Sequence, residues 1–350
     1  MSDSPFVGPR PFETEDRDRF FGRTRELEEL FSLIIAHRAV LVYAQSGAGK
    51  TSLLKAGVIP RLLERGYKVL PPARVLCLLP TDLSPQKVAN IFVFHALQHW
   101  AADLFNGASA EKCAQMTLAE FLKTLVPPSR PDEESAAPMV IVFDQFEELF
   151  TANADRWQER APFFKQLSQA LEEIPTLKVV FVMREEYIAQ LDSFTDLLPE
   201  KLRTRLHLQR LRGNSARSAV VKPFHSRGLS FDAGAAEKLL AELCEIRVSE
   251  GNTFREGHGE FVEPVQLQVV CQSLWENLEP DWKDGSPATL QSPRLITPDF
   301  VGRYGDVNHV AQNPIGSETP RKGLIAVCEL VLRCTSKAAR YANSVAARHY

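Results

Sequence analysis

AVLVYAQSGAGKTSLL, residues 39–54, is the stretch on which the fold turns. AVLVY is a short, β-branched apolar run of strand length, and TSLLKAGVIPRLLERG resumes at helical period after a glycine-rich loop. Strand, loop and helix in that order form the setting in which backbone N–H groups converge on an anion at a helix N-terminus. Within AQSGAGKT (Ala44–Thr51), Gly47 and Gly49 supply permissive backbone, Lys50 a charge for β and γ phosphates, and Thr51 a hydroxyl for Mg2+. Ala44 stands where the pattern G-x-x-x-x-G-K-[ST] has its first glycine, a small cost if φ there is negative. The candidate nucleotide-binding loop is thus Gln45, Ser46, Gly47, Ala48, Gly49, Lys50, Thr51 and Ser52.

Such a loop needs a carboxylate at the end of a second buried strand. PMVIVFDQFEELF provides Asp144 directly after an apolar run, as the expected metal partner of Thr51, with Glu147 and Glu148 three and four residues on. The position next to Asp144 is Gln145, so Glu147 or Glu148 is the expected catalytic base; alternatively the pair merely favours the start of a helix through its dipole. VVFVMREEY brings Arg184 to a third strand end, where it can report a γ-phosphate or form a surface ion pair. KLRTRLHLQRLR carries five cations whose alternation makes Arg203, Arg205 and His207 one solvated face. An arginine finger toward a neighbouring subunit is the more specific reading of that strip, and nucleic-acid binding the less favoured one. His95 and His99, spaced i, i+4 without a third ligand, predict an exposed helix face and not a metal clip.

Around these motifs, helices are expected over Gly22–Ala36, after the loop with a kink at Pro60 and a stop at Gly66, over Gln86–Phe105, Leu118–Val126 and Arg160–Ile174. Strands are expected over ARVLCLL, MVIVF, LKVVFVM and, at a sheet edge, RTRLHLQ, while PPSRPDEESAAP reads as a surface linker. Strands apolar on both faces and alternating with helices predict an α/β fold with a parallel sheet covered on two sides. Beyond Gly213 the pattern becomes helical, over Ser215–Val221, Ala233–Glu245 and Val265–Leu278, with no strands expected between. The expected domains are 5–213, a nucleotide-binding sheet domain; 214–300, a small helical domain; and 301–350, an atypical tail.

With 41 basic and 44 acidic residues in 350, the net charge of −3 gives no support to global affinity for nucleic acid. The N-terminus lacks a secretory pattern and no apolar run reaches the ~18 residues of a membrane span, so a cytoplasmic location is expected. Six cysteines without C-x-x-C pairing read as reduced thiols.

The segments PFVGPRPFETEDRDRFFGRTREL, LVYAQSGAGKTSLLKAGVIPRL, VIVFDQFEELFT, VVFVMREEYIAQL, LPEKLRTRLHLQRL and VEPVQLQVVCQSLW together resemble the STAND class of P-loop NTPases, and within it the bacterial novel STAND NTPase 1 family. The resemblance runs from about Pro5 to Trp275 and includes the alanine in the loop. It implies a five-stranded sheet of order 5-1-4-3-2, with ATP or ADP and Mg2+ as cofactors held between sheet and helical domains. It places Phe21, Gly22 and Arg23 beside the adenine, and makes Pro223 of VKP the counterpart of a base-touching G-x-P proline, without its glycine. It further implies a slow ATPase acting as a signalling switch, including in bacterial defence, that self-associates with ATP and works with effector and sensor proteins. From about Gly302 the resemblance ends, and a truncated or replaced tail is expected there, with an apolar helical face over Arg321–Val345. A DNA-associated loader-like ATPase and a non-catalytic nucleotide-bound adaptor are the alternatives.

Overall fold

The computed structural model of the chain describes residues 4–76, 83–104, 110–126, 137–250, 253–278 and 294–305. The described residues divide into two compact units. One, the sheet unit, comprises Thr24–Ser46 and Lys50–Gln209; the other, the helical unit, comprises residues 4–23, Gly47–Gly49 and those from Arg210 on.

In the sheet unit, β1 (Ala39–Ala44), β2 (Lys68–Val69), β3 (Met139–Phe143), β4 (Leu177–Arg184) and β5 (Arg205–His207) form one sheet among the described residues. Its order is β2-β3-β4-β1-β5 with every neighbour parallel, as expected. All of β3 is buried, and so is β4 apart from Lys178 and Arg184, as a sheet covered on both faces requires. Register then fixes where chemistry can gather. Ala44 pairs with Arg184 and Phe143 with Phe181, so β1, β4 and the residue following β3 all finish at one carboxyl edge.

Phe143, Phe146, Phe163, Phe164, Phe181 and Trp100 fill the core on one side of the sheet, each almost fully buried. Phe146 is clamped there, its ring 4.7 Å from that of Phe181 and its N–H donating to the Val182 carbonyl at 2.8 Å. The helix after the loop runs as Lys50–Ser52, a π-helical Leu53–Val58 and an α-helical Ile59–Glu64. The kink expected at Pro60 is this widened turn: the proline has no N–H and its ring would press on the carbonyl four residues back, and the Ile59 N–H reaches Leu54 O.

Two expectations are corrected in this unit. The second strand is not ARVLCLL but Lys68–Val69, followed by a lone bridge from Ala73 to Phe143. Pro71 and Pro72 intervene and cannot donate ladder hydrogen bonds, while residues 77–82 lie outside those described. Nor is His95 on an exposed face: it is 1% exposed, whereas His99 is exposed. The helix Ile91–Leu104 is buried all round through its first two turns, and His95 Nδ1 meets the Val75 carbonyl at 2.8 Å. Burial holds its imidazole below the usual histidine range.

The helical unit packs Gly213–His225, Ala235–Leu243, Pro264–Glu276 and Pro298–Tyr304 around Phe224 and Trp275. Phe6 enters the same core, 4.8 Å from Phe224, and the Val7 N–H donates to Gln268 Oε1, so the N-terminal segment is a structural part of this unit. Asp16, buried, receives Arg10 and Arg19 and clasps that segment. The expected absence of strands is corrected: β6 (Ser230–Phe231) pairs in parallel with β9 (Leu295–Ile296), and β7 (Glu245–Glu250) pairs antiparallel with β8 (Thr253–His258). Two-residue strands carry no readable period, and EIRVSE at β7 directly continues the preceding helix in sequence.

Cys113, Cys244 and Cys271 are free thiols; Cys77, Cys328, Cys334, the linker over 127–136 and the tail from 306 lie outside the described residues. Among the described residues no helix is long and apolar enough to cross a membrane.

Candidate functional site

At the carboxyl edge of the sheet unit, β1 runs into the loop with Ala44 buried as its last residue. Ala44 is paired as a strand residue and is not among those with positive φ, so a side chain costs nothing there. Gly47 and Gly49, by contrast, have φ of +80° and +92°, a region that L side chains rarely adopt.

Lys50 Nζ donates to the Ala44 and Gln45 carbonyls, both at 3.0 Å. Burial lowers the pKa of this ammonium, Glu147 and Asp144 oppose that shift, and Arg184 adds to it. One residue on, Thr51 Oγ1 donates to Asp144 Oδ2 at 2.9 Å, while Asp144 Oδ1 accepts the Gln145 N–H at 2.9 Å. Gln145 takes φ of +52°, which turns the chain sharply and lets Phe146 plunge into the core. The hydroxyl and carboxylate that converge here are hard oxygen donors, a set suited to Mg2+ completed by phosphate and water. No group of three or more His, Cys, Asp or Glu able to hold a metal occurs among the described residues.

The two acids left open by the sequence occupy different surroundings. Glu147, 8% exposed, receives Arg184 Nε at 3.1 Å on one oxygen and the Arg184 backbone N–H at 3.2 Å on the other. Glu148 is taken by Arg74, whose Nε lies 3.1 Å from Oε2 and whose Nη2 bonds Oε1. Glu147 therefore belongs with Lys50, Asp144 and Arg184, and Glu148 with the segment after β2. Arg74 is a site neighbour that sequence reading missed: it lies within ARVLCLL, the run expected as a buried strand, where nothing in the pattern marks it.

The cation strip is answered locally. Arg205 pairs with Asp192 at 2.6 Å, and His207 meets Glu185 at 3.1 Å while stacking on Tyr43, with ring centroids 4.8 Å apart.

Within the helical unit, Gly22 (φ +86°) is obligatory: a Cβ there would come 2.5 Å from the Ser215 carbonyl. Arg23, nearly buried, donates to the Ala48 carbonyl at 2.8 Å, tying FFGR to the loop tip. Phe21 is half-buried nearby in sequence, and Pro223 is buried inside the Gly213–His225 helix, one turn beyond Ala219, which also faces Gly22. Two further residues were not singled out in the sequence. Glu263 lies against Gly47, such that a Cβ on that glycine would come 3.3 Å from Glu263 Oε2, and Arg210 pairs with the same carboxylate at 2.9 Å. Burial pushes the Glu263 carboxyl up, against the pull of Arg210.

A parallel sheet in which the loop strand and the acidic strand are separated by one other, with Thr51 bonded to Asp144, defines a nucleotide-binding P-loop NTPase. The family described as Novel STAND NTPase 1 matches residues 5–281, and the chain belongs to it. No match is found among curated proteins. Among solved structures, the Walker-type ATPase PABY2304 of Pyrococcus abyssi is 14% identical, covering 78% of this chain and 72% of its own, with a TM-score of 0.48. The Aeropyrum pernix ORC2 protein, solved as ADPNP-ADP complexes, is 16% identical over 85% and 70%, with a TM-score of 0.48. The Aeropyrum pernix ORC1 protein in complex with DNA is 15% identical over 74% and 62%, with a TM-score of 0.41.

Proposed function

We propose that this chain is an ATP-binding, slowly hydrolysing cytoplasmic switch whose self-association follows the nucleotide it holds. The observation that carries this reading is the latch between Glu147 and Arg184 beside Lys50 and the Thr51–Asp144 pair. Glu147 is the base in this scheme and Arg184 the group that responds to the γ-phosphate. Each is engaged with the other at rest, so an incoming γ-phosphate competes for Arg184 and hydrolysis waits on that exchange. Such coupling supports low turnover and a change of state with phosphate loss. Thr51 and Asp144 would hold Mg2+, which neutralises phosphate charge when bound. The remaining loop residues, Gln45, Ser46, Ala48 and Ser52, wrap the phosphates, and Phe21, Gly22, Arg23 and Pro223 serve the base.

The test is direct. Purified chain is analysed for retained nucleotide, and its molar mass is measured by light scattering with ADP and with ATP plus Mg2+, beside Lys50→Ala and Glu147→Gln. Adenine nucleotide bound by wild type but not by Lys50→Ala, with greater mass in ATP, supports the switch. A wild-type chain that binds no adenine nucleotide ends it; one that binds without turnover or mass change is a nucleotide-stabilised adaptor instead.

A further inference from the structure

Leu211 and Val262 form an antiparallel bridge, with the Val262 N–H donating to the Leu211 carbonyl at 2.8 Å. In that register Arg210 stands opposite Glu263 and Arg212 opposite Phe261, and both pairs are in contact, the second as a guanidinium 5.8 Å from the ring centroid. The backbone, and not chance side-chain drift, thus holds Arg210 on Glu263. Pro264 starts the long helix Pro264–Glu276 immediately afterward, which fixes the direction from which Glu263 approaches Gly47.

This arrangement sets a carboxylate beside a loop tip whose backbone is built for anions. A carboxylate and a phosphate compete for the same positive field, so Glu263 opposes the ligand that the loop is shaped to take. Arg210 holds a second clue. Its Nε is buried with no hydrogen-bond partner among the described residues, while another of its nitrogens serves Glu263. A guanidinium carries five donors and is suited to bidentate capture of phosphate. One donor is left unpaired on a guanidinium that Glu263 links to Gly47.

We propose that Arg210 is a phosphate ligand for the nucleotide at Gly47–Gly49, and that Glu263 is its resting counter-charge, displaced when the phosphate arrives. Binding exchanges a carboxylate for a phosphate on one arginine, so Glu263 weakens nucleotide affinity and Arg210 strengthens it. The ligand class is a nucleoside di- or triphosphate recognised through its phosphates. The inference rests on nucleotide binding at this loop, as given under the proposed function.

The test uses the full chain and titrates ATP, ADP and inorganic pyrophosphate calorimetrically against wild type, Glu263→Gln, Arg210→Gln, Arg210→Lys and the double variant Arg210→Gln/Glu263→Gln. Removing the competing charge in Glu263→Gln should tighten ATP about tenfold, and Arg210→Gln should weaken it about tenfold. Arg210→Lys should fall between, and the double variant should recover much of the loss of Arg210→Gln, because the unpaired carboxylate is then gone. Pyrophosphate should follow the same order as ATP, which separates phosphate recognition from any effect on the base. Thermal melting without ligand accompanies each titration. If Glu263→Gln leaves the ATP Kd within about twofold of wild type, or weakens it, the exchange is wrong and the pair is only a structural clasp. If wild type binds ATP no better than Lys50→Ala, it is the nucleotide reading itself that fails, and this one with it.

Discussion

At Lys50 the surroundings pull in opposite directions: burial disfavours the ammonium and Arg184 repels it, while Glu147 and Asp144 retain it. Removing that charge with Lys50→Ala should weaken ATP by about 100-fold or more, read by calorimetry, with the fold kept. The neighbouring acids should respond differently from one another. Glu147→Gln should lower turnover by about 100-fold while ATP still binds, whereas Glu148→Gln, which frees a half-exposed Arg74, should mainly cost about 1 kcal/mol of stability. Phosphate release and urea denaturation separate the two outcomes, and equal loss of turnover in both would put the base assignment at fault. His95 gives a pH signature. Its folded pKa lies below the unfolded one, so it favours folding above the ordinary histidine value and loses that contribution as pH falls through and below it. His95→Gln should therefore melt with a shallower loss between about pH 7 and pH 5 than wild type. None of these distinctions was legible in the sequence, where Glu147 and Glu148 are adjacent and alike and His95 shares a spacing with the exposed His99.

At the scale of elements, reading succeeded where chemistry is repeated along a run. β1, β3 and β4 are apolar on both faces and lie close to their expected spans, and β5 lies at the sheet edge that its alternation implies. It failed where an element lasts two residues, at β2, β6 and β9, because pairing there is decided by neighbours distant in sequence. The acidic turn after β3 owes its geometry to Phe146, which stands between Asp144 and Glu147 in sequence and buries its ring against Phe181. Phe146→Ala should cost about 3–5 kcal/mol in urea denaturation and depress turnover further than stability loss alone explains. Phe146→Leu, closer in volume, should restore most of both.

Across the whole molecule, the loop, Asp144 and Arg184 were readable because each follows a strand that announces itself. The roles of residues 4–23, Arg74, Arg210 and Glu263 were not, since they depend on contacts between segments tens to hundreds of residues apart, such as Val7 with Gln268. Nucleotide binding to the folded state alone should raise global stability by about 2.7 kcal/mol at a ligand concentration of 100 times Kd. Differential scanning calorimetry with saturating ATP should show that rise in wild type and its loss in Lys50→Ala.

The π-helical turn at Leu53–Val58 governs which changes of length the helix tolerates. A wide turn of this kind holds one residue more than a regular helix needs, so it can be read as an absorbed single-residue insertion. Deleting Gly57 would close the wide turn to an ordinary repeat and leave Ile59 and Leu62 on their buried face, but it would also set the Pro60 ring against the carbonyl four residues back. The length of this helix is thus guarded by one proline: a chain that keeps Pro60 keeps the extra residue ahead of it.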